Sequence, residues 1–209
     1  MPIEIKWIHH ASFRLSAGGD IVYIDPWKLA DSPADATVVF VSHGHFDHCS
    51  PDDVAKVHAA GTVVLGPSDA VEQFPDGRVL SPGRQITVGE VAIEAVPAYN
   101  LNKQFHPKAN GWLGAIFAMG GARVYYAGDT DLIPEMNGLS SIDVALLPVG
   151  GTYTMDPPEA AAACEAIGPK SAVPYHWGDI VGSADDAEKF ARQAPCPVHL
   201  LKPGQTLTL

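Results

Sequence analysis

The sequence lacks any apolar run close to the ~20 residues that a membrane-spanning helix requires. Its first residues, 1–6, lack the basic start and apolar stretch of a secretory signal. Cysteine is scarce: the three cysteines, Cys49, Cys164 and Cys196, are far apart and odd in number, so the sequence predicts no disulfide framework. We therefore expect a cytoplasmic protein in a reducing environment.

Basic residues are also few, since 13 Lys and Arg residues face 24 Asp and Glu residues, for a formal net charge of −11. This balance argues against a broad basic face for nucleic acid or anionic membrane. Bound divalent cations would offset part of the negative charge. We expect a small-molecule substrate and neither a nucleic-acid nor a membrane partner, and we leave a homo-oligomer open.

The chain has 209 residues, 46% of them hydrophobic, and is long enough for one domain, 1–209, with a sizeable core. Strand patterns come first, and strands then alternate with helices. Ser50 is predicted to cap a helix that ends at Gly61, and a later helix is predicted to end at Ile167. Val198–Leu201 is the last predicted strand.

Four candidate metal ligands lie within six residues, in the segment His43-Gly44-His45-Phe46-Asp47-His48. The segment follows the apolar run Val38–Val41, which predicts a buried strand, and a loop after a rigid strand can hold a metal site open to substrate. Neutral imidazole and carboxylate bind zinc at neutral pH. A polar surface turn is the alternative, but crowded histidines repel one another as they protonate. A bound cation explains the pattern better.

Two later segments share this context, a polar group directly after an apolar strand. Gly128-Asp129-Thr130 follows Arg123–Ala127, and His176 follows Ala172–Tyr175. Taken alone, Asp129 could be a turn cap and His176 a half-buried histidine bonded to backbone. In this order behind the first motif, the three segments resemble the metal-binding motifs of the metallo-β-lactamase superfamily.

Three further segments resemble a compact branch of that superfamily, related to ascorbate-6-phosphate lactonase. They are Trp7–Phe13, Ile24–Trp27 and Asp129–Met136. The resemblance covers nearly the whole chain. It implies an α/β (α+β) fold, the four-layer αββα sandwich, in which two β-sheets pack together between outer helices.

The resemblance also implies a binuclear metal centre with two groups of ligands and a bridging carboxylate. These are His43, His45 and a third histidine; Asp47, His48 and His176; and Asp129. Zinc (Zn²⁺) is the expected metal, two ions per chain, although manganese (Mn²⁺) and iron (Fe) tolerate the same ligands. Such a pair can generate a metal-bound hydroxide near neutral pH. Asp47, Asp129 and His176 would be the catalytic residues.

The third histidine is where the sequence departs from the family pattern. Many relatives place it in a His-Thr/Ser-x-Gly turn, whereas this chain has Phe105–Trp112 there. His106 is the only histidine between His58 and His176, so we predict that it completes the first metal site. The alternative is that His106 binds substrate and that the first metal site is depleted.

Several residues outside the ligand set have open roles. Asp25 could accept a hydrogen bond from a ligand imidazole or simply form a turn. His10 could lie at the rim of the cleft or bond to backbone, and Cys49 is expected to be a packed thiol. Lys103 or Lys108 could hold a phosphate or carboxylate of the substrate, or be solvated. The candidate substrate-binding residues lie in loops near the ligands: Tyr99, Asn100, Lys103 and Tyr153.

The sequence therefore predicts a metal-dependent hydrolase that cleaves a small ester, lactone or phosphoester. One alternative is an iron-dependent redox enzyme on the same fold. The other is a non-catalytic member that only binds a metal or ligand, which is disfavoured because idle buried histidines and carboxylates are costly to retain. The sequence does not identify the substrate.

Overall fold

The computed structural model describes residues 1–209 and contains two β-sheets. The strands of the first sheet are β1 (Glu4–His9), β2 (Ser12–Ala17), β3 (Asp20–Ile24), β4 (Val38–Phe40), β5 (Val63–Gly66), β6 (Gly77–Val79) and, from the end of the chain, β13 (Thr206–Thr208). Their spatial order is β13-β1-β2-β3-β4-β5-β6. The first three strands are antiparallel neighbours.

The second sheet contains the six remaining strands. They are β7 (Gln85–Val88), β8 (Val91–Pro97), β9 (Leu113–Met119), β10 (Ala122–Tyr126), β11 (Val144–Pro148) and β12 (Ser171–Tyr175). Their spatial order is β12-β11-β10-β9-β8-β7. Antiparallel hairpins thus form one half of this sheet, and parallel strands form the other.

Four α-helices connect the strands. They are α1 (Pro51–Val57), α2 (Ser68–Val71), α3 (Pro157–Ile167) and α4 (Ala184–Gln193). Two short 3-10 helices, Lys108–Asn110 and Pro134–Gly138, lie in loops of the second sheet. None of the helices has the length and apolar character needed to cross a membrane.

Three hydrophobic clusters define the layers. The largest has 27 buried residues and joins the two sheets, for example through Phe40 and Phe117, whose ring centroids are 5.4 Å apart. A cluster of 11 buried residues packs the outer face of the first sheet against α1 and α2, and one of 20 packs the second sheet against α3 and α4. Each apolar face is therefore covered by the next layer. This arrangement confirms the predicted αββα fold class.

Helix α1 is shorter than predicted. It ends at Val57 rather than at Gly61, because His58 is extended (φ −67°, ψ 127°) and the Val57 carbonyl accepts a hydrogen bond from Ala36 N at 3.0 Å. The Val57 carbonyl is thus bonded to a loop and does not accept the hydrogen bond that a further helical turn would form. The predicted end of α3 at Ile167 is confirmed.

The predicted strand Val198–Leu201 is wrong. Only Val198 forms a bridge, to Ala172, and Leu201 N bonds back to His199 O at 3.1 Å, which turns the chain. The last strand is β13, which pairs antiparallel with β1. Its Thr-Leu-Thr sequence is short and mostly exposed, so it lacks the apolar pattern that predicts a strand.

Parallel pairing brings the three candidate motifs to one edge of the sandwich. Strands β3, β4 and β5 are parallel neighbours in the first sheet, as β10, β11 and β12 are in the second. The carboxyl ends of parallel strands meet at one edge of a sheet. The two edges adjoin where Leu113 N, in β9, donates to Ser42 O, just after β4, at 3.0 Å.

Candidate metal centre

A tight turn gathers the histidines of the first motif. The His45 carbonyl accepts hydrogen bonds from the backbone N–H groups of His48 (3.0 Å) and Cys49 (2.8 Å). The loop therefore folds back on itself, and the His43 ring centroid lies 4.6 Å from that of His45 and 4.1 Å from that of His48. His43 and His48 are buried, whereas His45 is partly exposed in a cleft.

Asp129 is positioned by a glycine turn after β10. Gly128 has φ +70°, and a Cβ at this position would lie 2.6 Å from the carbonyl oxygen of Leu113. Glycine is therefore required, both for the left-handed backbone and for the close approach to β9. The turn places the buried Asp129 carboxylate among the histidines.

His176 follows β12 with φ +61°, and its N–H donates to the carbonyl of His10 at 3.2 Å. His10 (φ +48°) and Asp25 (φ +43°) are also left-handed. Such conformations cost non-glycine residues about 1–3 kcal/mol each and persist only where the surroundings over-determine them. Three such residues at one site mark a functional constraint.

The Asp129 carboxylate lies between two groups of potential ligands. Its Oδ2 is 3.3 Å from His106 Nε2 and 3.1 Å from His176 Nε2, and its Oδ1 is 3.4 Å from His48 Nε2. Within each group, the ligand atoms lie within 4.8 Å of one another; the groups are His43, His45 and His106, and His10, Asp47, His48 and His176. The structure thus brings together all the predicted ligands, which we call the floor: His43, His45, Asp47, His48, His106, Asp129 and His176.

The donor set of the floor fits a divalent cation. The buried Nε2 atoms of His48, His106 and His176 have no hydrogen-bond partner, and neither has Oδ1 of Asp129. A buried unpaired group of this kind costs about 1–3 kcal/mol. Zinc bonds of ~2.0–2.1 Å in a tetrahedron place neighbouring ligand atoms about 3.3–3.4 Å apart. Among the floor residues themselves, the shortest distance from an imidazole nitrogen is 3.1 Å to Asp129 and 3.5 Å to Asp47, and these two distances bracket that value.

Burial and opposing charges set the protonation of the floor. Burial, with the charge of His48, lowers the pKa of His43 well below its usual range, so this imidazole is neutral and able to bind a metal. Burial also lowers the pKa of His48, but the Asp129 and Asp25 carboxylates outweigh it and raise that pKa well above its usual range. A cation would therefore displace a proton from His48.

Burial and the histidines act in opposite directions on Asp129. Burial alone raises the pKa of this carboxyl group, yet the charges of His176 and His48 hold the pKa well below its usual range. Asp129 is therefore ionised at neutral pH, and an ionised carboxylate is the form that binds a metal.

Asp25 orients a floor histidine, which confirms one of its two predicted roles. Its buried Oδ2 lies 2.7 Å from His48 Nδ1 and accepts hydrogen bonds from Ser42 Oγ and Tyr126 OH, both at 2.6 Å. Ser42 N donates to Oδ1 at 2.7 Å. A proton on Nδ1 fixes the tautomer in which Nε2 of His48 is free to bind a metal.

Asn100 orients His106 in the same way, through a contact that the sequence does not predict. Asn100 Oδ1 accepts hydrogen bonds from both the backbone N and the Nδ1 of His106, each at 3.0 Å. Asn100 Nδ2 donates to Asp131 Oδ1 and to the Tyr153 carbonyl, each at 2.9 Å. Asn100 is buried, its side chain is fully engaged, and it does not line the cleft, so in this structure it positions His106.

Two more residues predicted to bind substrate are also engaged elsewhere. Tyr99 is buried and its hydroxyl donates to Glu135 at 2.8 Å, whereas Lys103 bonds to Asp131. Neither lines the cleft, because both side chains are held by these carboxylates. Tyr153, the fourth predicted residue, does line it.

His10 is not at the rim of the cleft. It is 1% exposed, and its Nε2 lies 3.2 Å from Asp47 Oδ2, so it contacts a floor carboxylate directly. Its carbonyl accepts hydrogen bonds from Trp7 Nε1 and His176 N. The sequence carries no signal for the contact of His10 with a residue so distant in the chain.

Cys49 is a packed thiol, as predicted. It is buried, and its Sγ donates to the carbonyl of Ala70 at 3.7 Å. Burial raises the pKa of Cys49 to about 12, so the thiol is un-ionised at neutral pH and a poor nucleophile.

The floor opens into a cavity of about 240 Å³. This is somewhat below the volume of typical drug-sized pockets, and it suits a small ligand. The lining residues come from loops of both sheets: His45, Phe46, Asp47, Phe105, His106, Asp129, Tyr153, His176 and Ile180.

Comparisons with known proteins identify the family and the fold. Residues 4–176 match the family model of the beta-lactamase superfamily domain. The chain is 33% identical over 233 residues to a UPF0173 metal-dependent hydrolase of Nitratidesulfovibrio vulgaris, covering 100% of this chain and 96% of the relative. A solved candidate metal-dependent hydrolase of Parabacteroides distasonis is 30% identical, with a TM-score of 0.84 and coverage of 97% and 94%. The diiron β-hydroxylase CmlA of Streptomyces venezuelae shares the fold at 14% identity and a TM-score of 0.76, covering 100% of this chain and 53% of that one.

These matches define a metallo-β-lactamase fold, and the residues of the floor could hold a metal ion at its edge. The chain belongs to the UPF0173 metal-dependent hydrolase family of the metallo-β-lactamase superfamily. The predicted superfamily is thereby confirmed. The closer relation to ascorbate-6-phosphate lactonase stays a prediction.

Proposed function

We propose that the protein is a binuclear metal-dependent hydrolase that cleaves a small ester, lactone or phosphoester. The position of Asp129 carries this proposal, because its carboxylate lies within 3.4 Å of imidazoles from both ligand groups. A carboxylate so placed can bridge two cations. Its negative charge would offset part of the repulsion between them.

The floor residues divide between the two proposed cations. His43, His45 and His106 would hold the first, and Asp47, His48 and His176 the second. When bound, a pair of divalent cations polarises the scissile carbonyl or phosphoryl oxygen and lowers the pKa of water at the site. Zinc is our first choice because the ligands are nitrogen and oxygen atoms, which Mn²⁺ and Fe also accept.

Asp47 is proposed to move the proton. It lines the cleft, and His10 Nε2 fixes its Oδ2 at 3.2 Å. Burial raises the pKa of Asp47, but the His10 hydrogen bond and the charge of His48 outweigh it, so the pKa lies below its usual value. The carboxylate is therefore ionised at neutral pH. It can take a proton from the attacking water and pass it to the leaving oxygen.

An iron-dependent redox enzyme is the alternative, because the same ligands suit iron. The S. venezuelae protein of this fold is a diiron β-hydroxylase, but a likeness at 14% identity concerns the fold alone. We favour hydrolysis because the relatives at 30–33% identity are described as metal-dependent hydrolases. We also propose a small-molecule substrate and no nucleic-acid partner, since acidic residues outnumber basic ones 24 to 13.

The proposed function is tested by assaying zinc-loaded protein on a lactone, a carboxylic ester and a phosphodiester. We expect hydrolysis of at least one, lost on chelation and restored by zinc, without oxygen consumption. His48→Ala should lose this activity, whereas His58→Ala, a surface histidine paired with Asp76, should keep it. Full activity in metal-free protein would refute the proposal, and iron-dependent oxygen consumption without hydrolysis would favour the redox alternative.

A further inference from the structure

Exposed apolar side chains gather at the mouth of the cavity. Phe46, Phe105 and Ile180 are 69%, 45% and 40% exposed, and all three line it. Tyr153 joins them, with its ring centroid 4.7 Å from that of Phe105 at an interplanar angle of 85°. We call these four residues the apolar rim. Isolated exposed hydrophobic residues are ordinary, but a group of them around one cavity indicates a ligand surface.

The cavity offers no cationic side chain to a charged ligand. None of its lining residues is Lys or Arg, and the lysines of the neighbouring loops are paired. Lys103 lies against Asp131 and within 3.9 Å of Glu159. Lys108 bonds to Glu135 at 2.8 Å, and Lys28 to Asp179 at 2.6 Å. A phosphate or carboxylate away from the scissile bond would therefore meet no free positive side chain.

The negative charge of the protein acts in the same direction. The cavity contains the carboxylates of Asp47 and Asp129, and the whole chain has a formal net charge of −11. Two cations on the floor would be neutralised in part by these carboxylates. An anionic group at the rim would lose its hydration among apolar side chains, with no lysine or arginine in the cavity lining to compensate.

We propose that this site selects uncharged carboxylic esters or lactones that bear an apolar or aromatic group, and that this group sits on the apolar rim. The inference rests on the proposed function and narrows its range of substrates, because it disfavours esters that carry a charged phosphate away from the scissile bond. A volume of about 240 Å³ limits the substrate to a small molecule. The polar floor then faces the scissile bond, while the rim removes the apolar group from water.

The proposed reaction is a hydrolysis. The oxygen of water forms a bond to the acyl carbon, and the bond from that carbon to the ester oxygen breaks. A proton from the water passes to the leaving oxygen. The products are a carboxylic acid and an alcohol, or one hydroxy acid when the substrate is a lactone.

The test uses matched aromatic esters that differ only in a distal phosphate. For zinc-loaded wild-type protein, we expect kcat/KM to be at least about tenfold higher for the uncharged ester. Phe105→Ala should lower kcat/KM for that ester by about fivefold to tenfold, because the aromatic contact is lost. Leu200→Ala, which removes a 45% exposed leucine outside the cavity, should leave it unchanged.

A variant that should favour the phosphorylated ester provides a second test. Ile180→Lys adds a cation at the rim, so it should raise kcat/KM for the phosphorylated ester by several fold and lower it for the uncharged one. Equal or better wild-type hydrolysis of the phosphorylated ester would overturn the inference. Equal effects of Phe105→Ala and Leu200→Ala would do so as well.

Binding separates this inference from the proposed function. If no ester is hydrolysed, the proposed function fails, and calorimetry with the corresponding non-hydrolysable aromatic amide still tests the rim. We expect the uncharged amide to bind wild-type protein, with Kd raised about fivefold to tenfold by Phe105→Ala. No measurable binding of this amide, or binding unaffected by Phe105→Ala, would refute the role of the rim.

Discussion

The floor and the apolar rim of the cleft differ in burial, polarity and support. Floor residues such as His48 and His176 are at most 1% exposed, whereas Phe46 in the rim is 69% exposed. Asp25 and Asn100 accept hydrogen bonds from His48 and His106 and so hold two imidazoles of the floor. In the rim, the Phe105 ring packs against Tyr153 and the Phe46 ring lies 6.0 Å from that of Trp27. The protein thus separates the rigid part that would perform chemistry from the exposed part that would select the substrate.

This difference has an energetic consequence. Each unpaired buried atom of the floor costs about 1–3 kcal/mol in the absence of a partner. Bound cations would remove that cost, so the stability of the protein should depend on metal. The exposed rim carries no such cost. Changes in the floor should therefore alter metal content, stability and rate together, whereas changes in the rim should alter only the choice of substrate.

The largest effect is expected for Asp129→Asn. The substitution keeps the shape of the side chain but removes the charge that lies between the two groups of ligands. We expect loss of at least one metal ion per chain and a fall in kcat of about a thousandfold, since metal catalysis contributes several kcal/mol. Elemental analysis and steady-state kinetics measure both. Asp185→Asn, an exposed aspartate on α4, is the matched control and should change neither.

Asn100→Ala should have the next largest effect. It removes the acceptor that holds Nδ1 of His106, and loss of such a partner typically weakens metal binding by about 10- to 100-fold. Metal titration against a competing chelator measures the change. Asn102→Ala, at an exposed neighbouring position, should retain wild-type affinity. Equal affinities for the two variants would show that Asn100 does not position His106.

Phe46→Ala tests whether the rim contacts the substrate, and its effect should be smaller than that of Asn100→Ala. Because this ring is mostly exposed and would be only partly covered by a ligand, we expect KM for an uncharged aromatic ester to rise about threefold to fivefold. Metal content and melting temperature should stay at wild-type values. A loss of metal in this variant would contradict the separation of floor and rim.

Cys49→Ala should have the smallest effect. The thiol follows the floor residue His48 in sequence but is buried with a pKa raised to about 12, so it does not act as a nucleophile. We expect kcat within about twofold of wild type. A large loss of kcat with normal folding, or a trapped adduct on Cys49, would refute this assignment.

The parts of the site predicted from sequence are those with a local signal. The segment His43–His48 is contiguous, and Asp129 and His176 each follow an apolar strand, so their convergence follows from the order of strand ends. The supporting contacts have no such signal. Asn100 reaches Asp131, and His10 reaches Asp47, across long stretches of chain, so only the tertiary fold brings them together.

The same limit applies to the fold. The end of α3 at Ile167 is predicted correctly, because the glycine that follows it is a local signal for the end of a helix. The end of α1 depends on a loop that takes the Val57 carbonyl, and β13 depends on backbone pairing at a sheet edge. Neither contact is accompanied by a periodic pattern of apolar residues from which it could be predicted.

The central claim is that the floor holds two cations through separate ligand groups that meet at Asp129. It is tested most directly by the zinc content of wild type, His106→Ala and the surface variant His58→Ala, after loading and gel filtration. We predict two equivalents per chain for wild type and His58→Ala, and one for His106→Ala. Two equivalents in His106→Ala, with only KM raised, would make His106 a substrate contact. A single equivalent in wild type would contradict the binuclear centre itself.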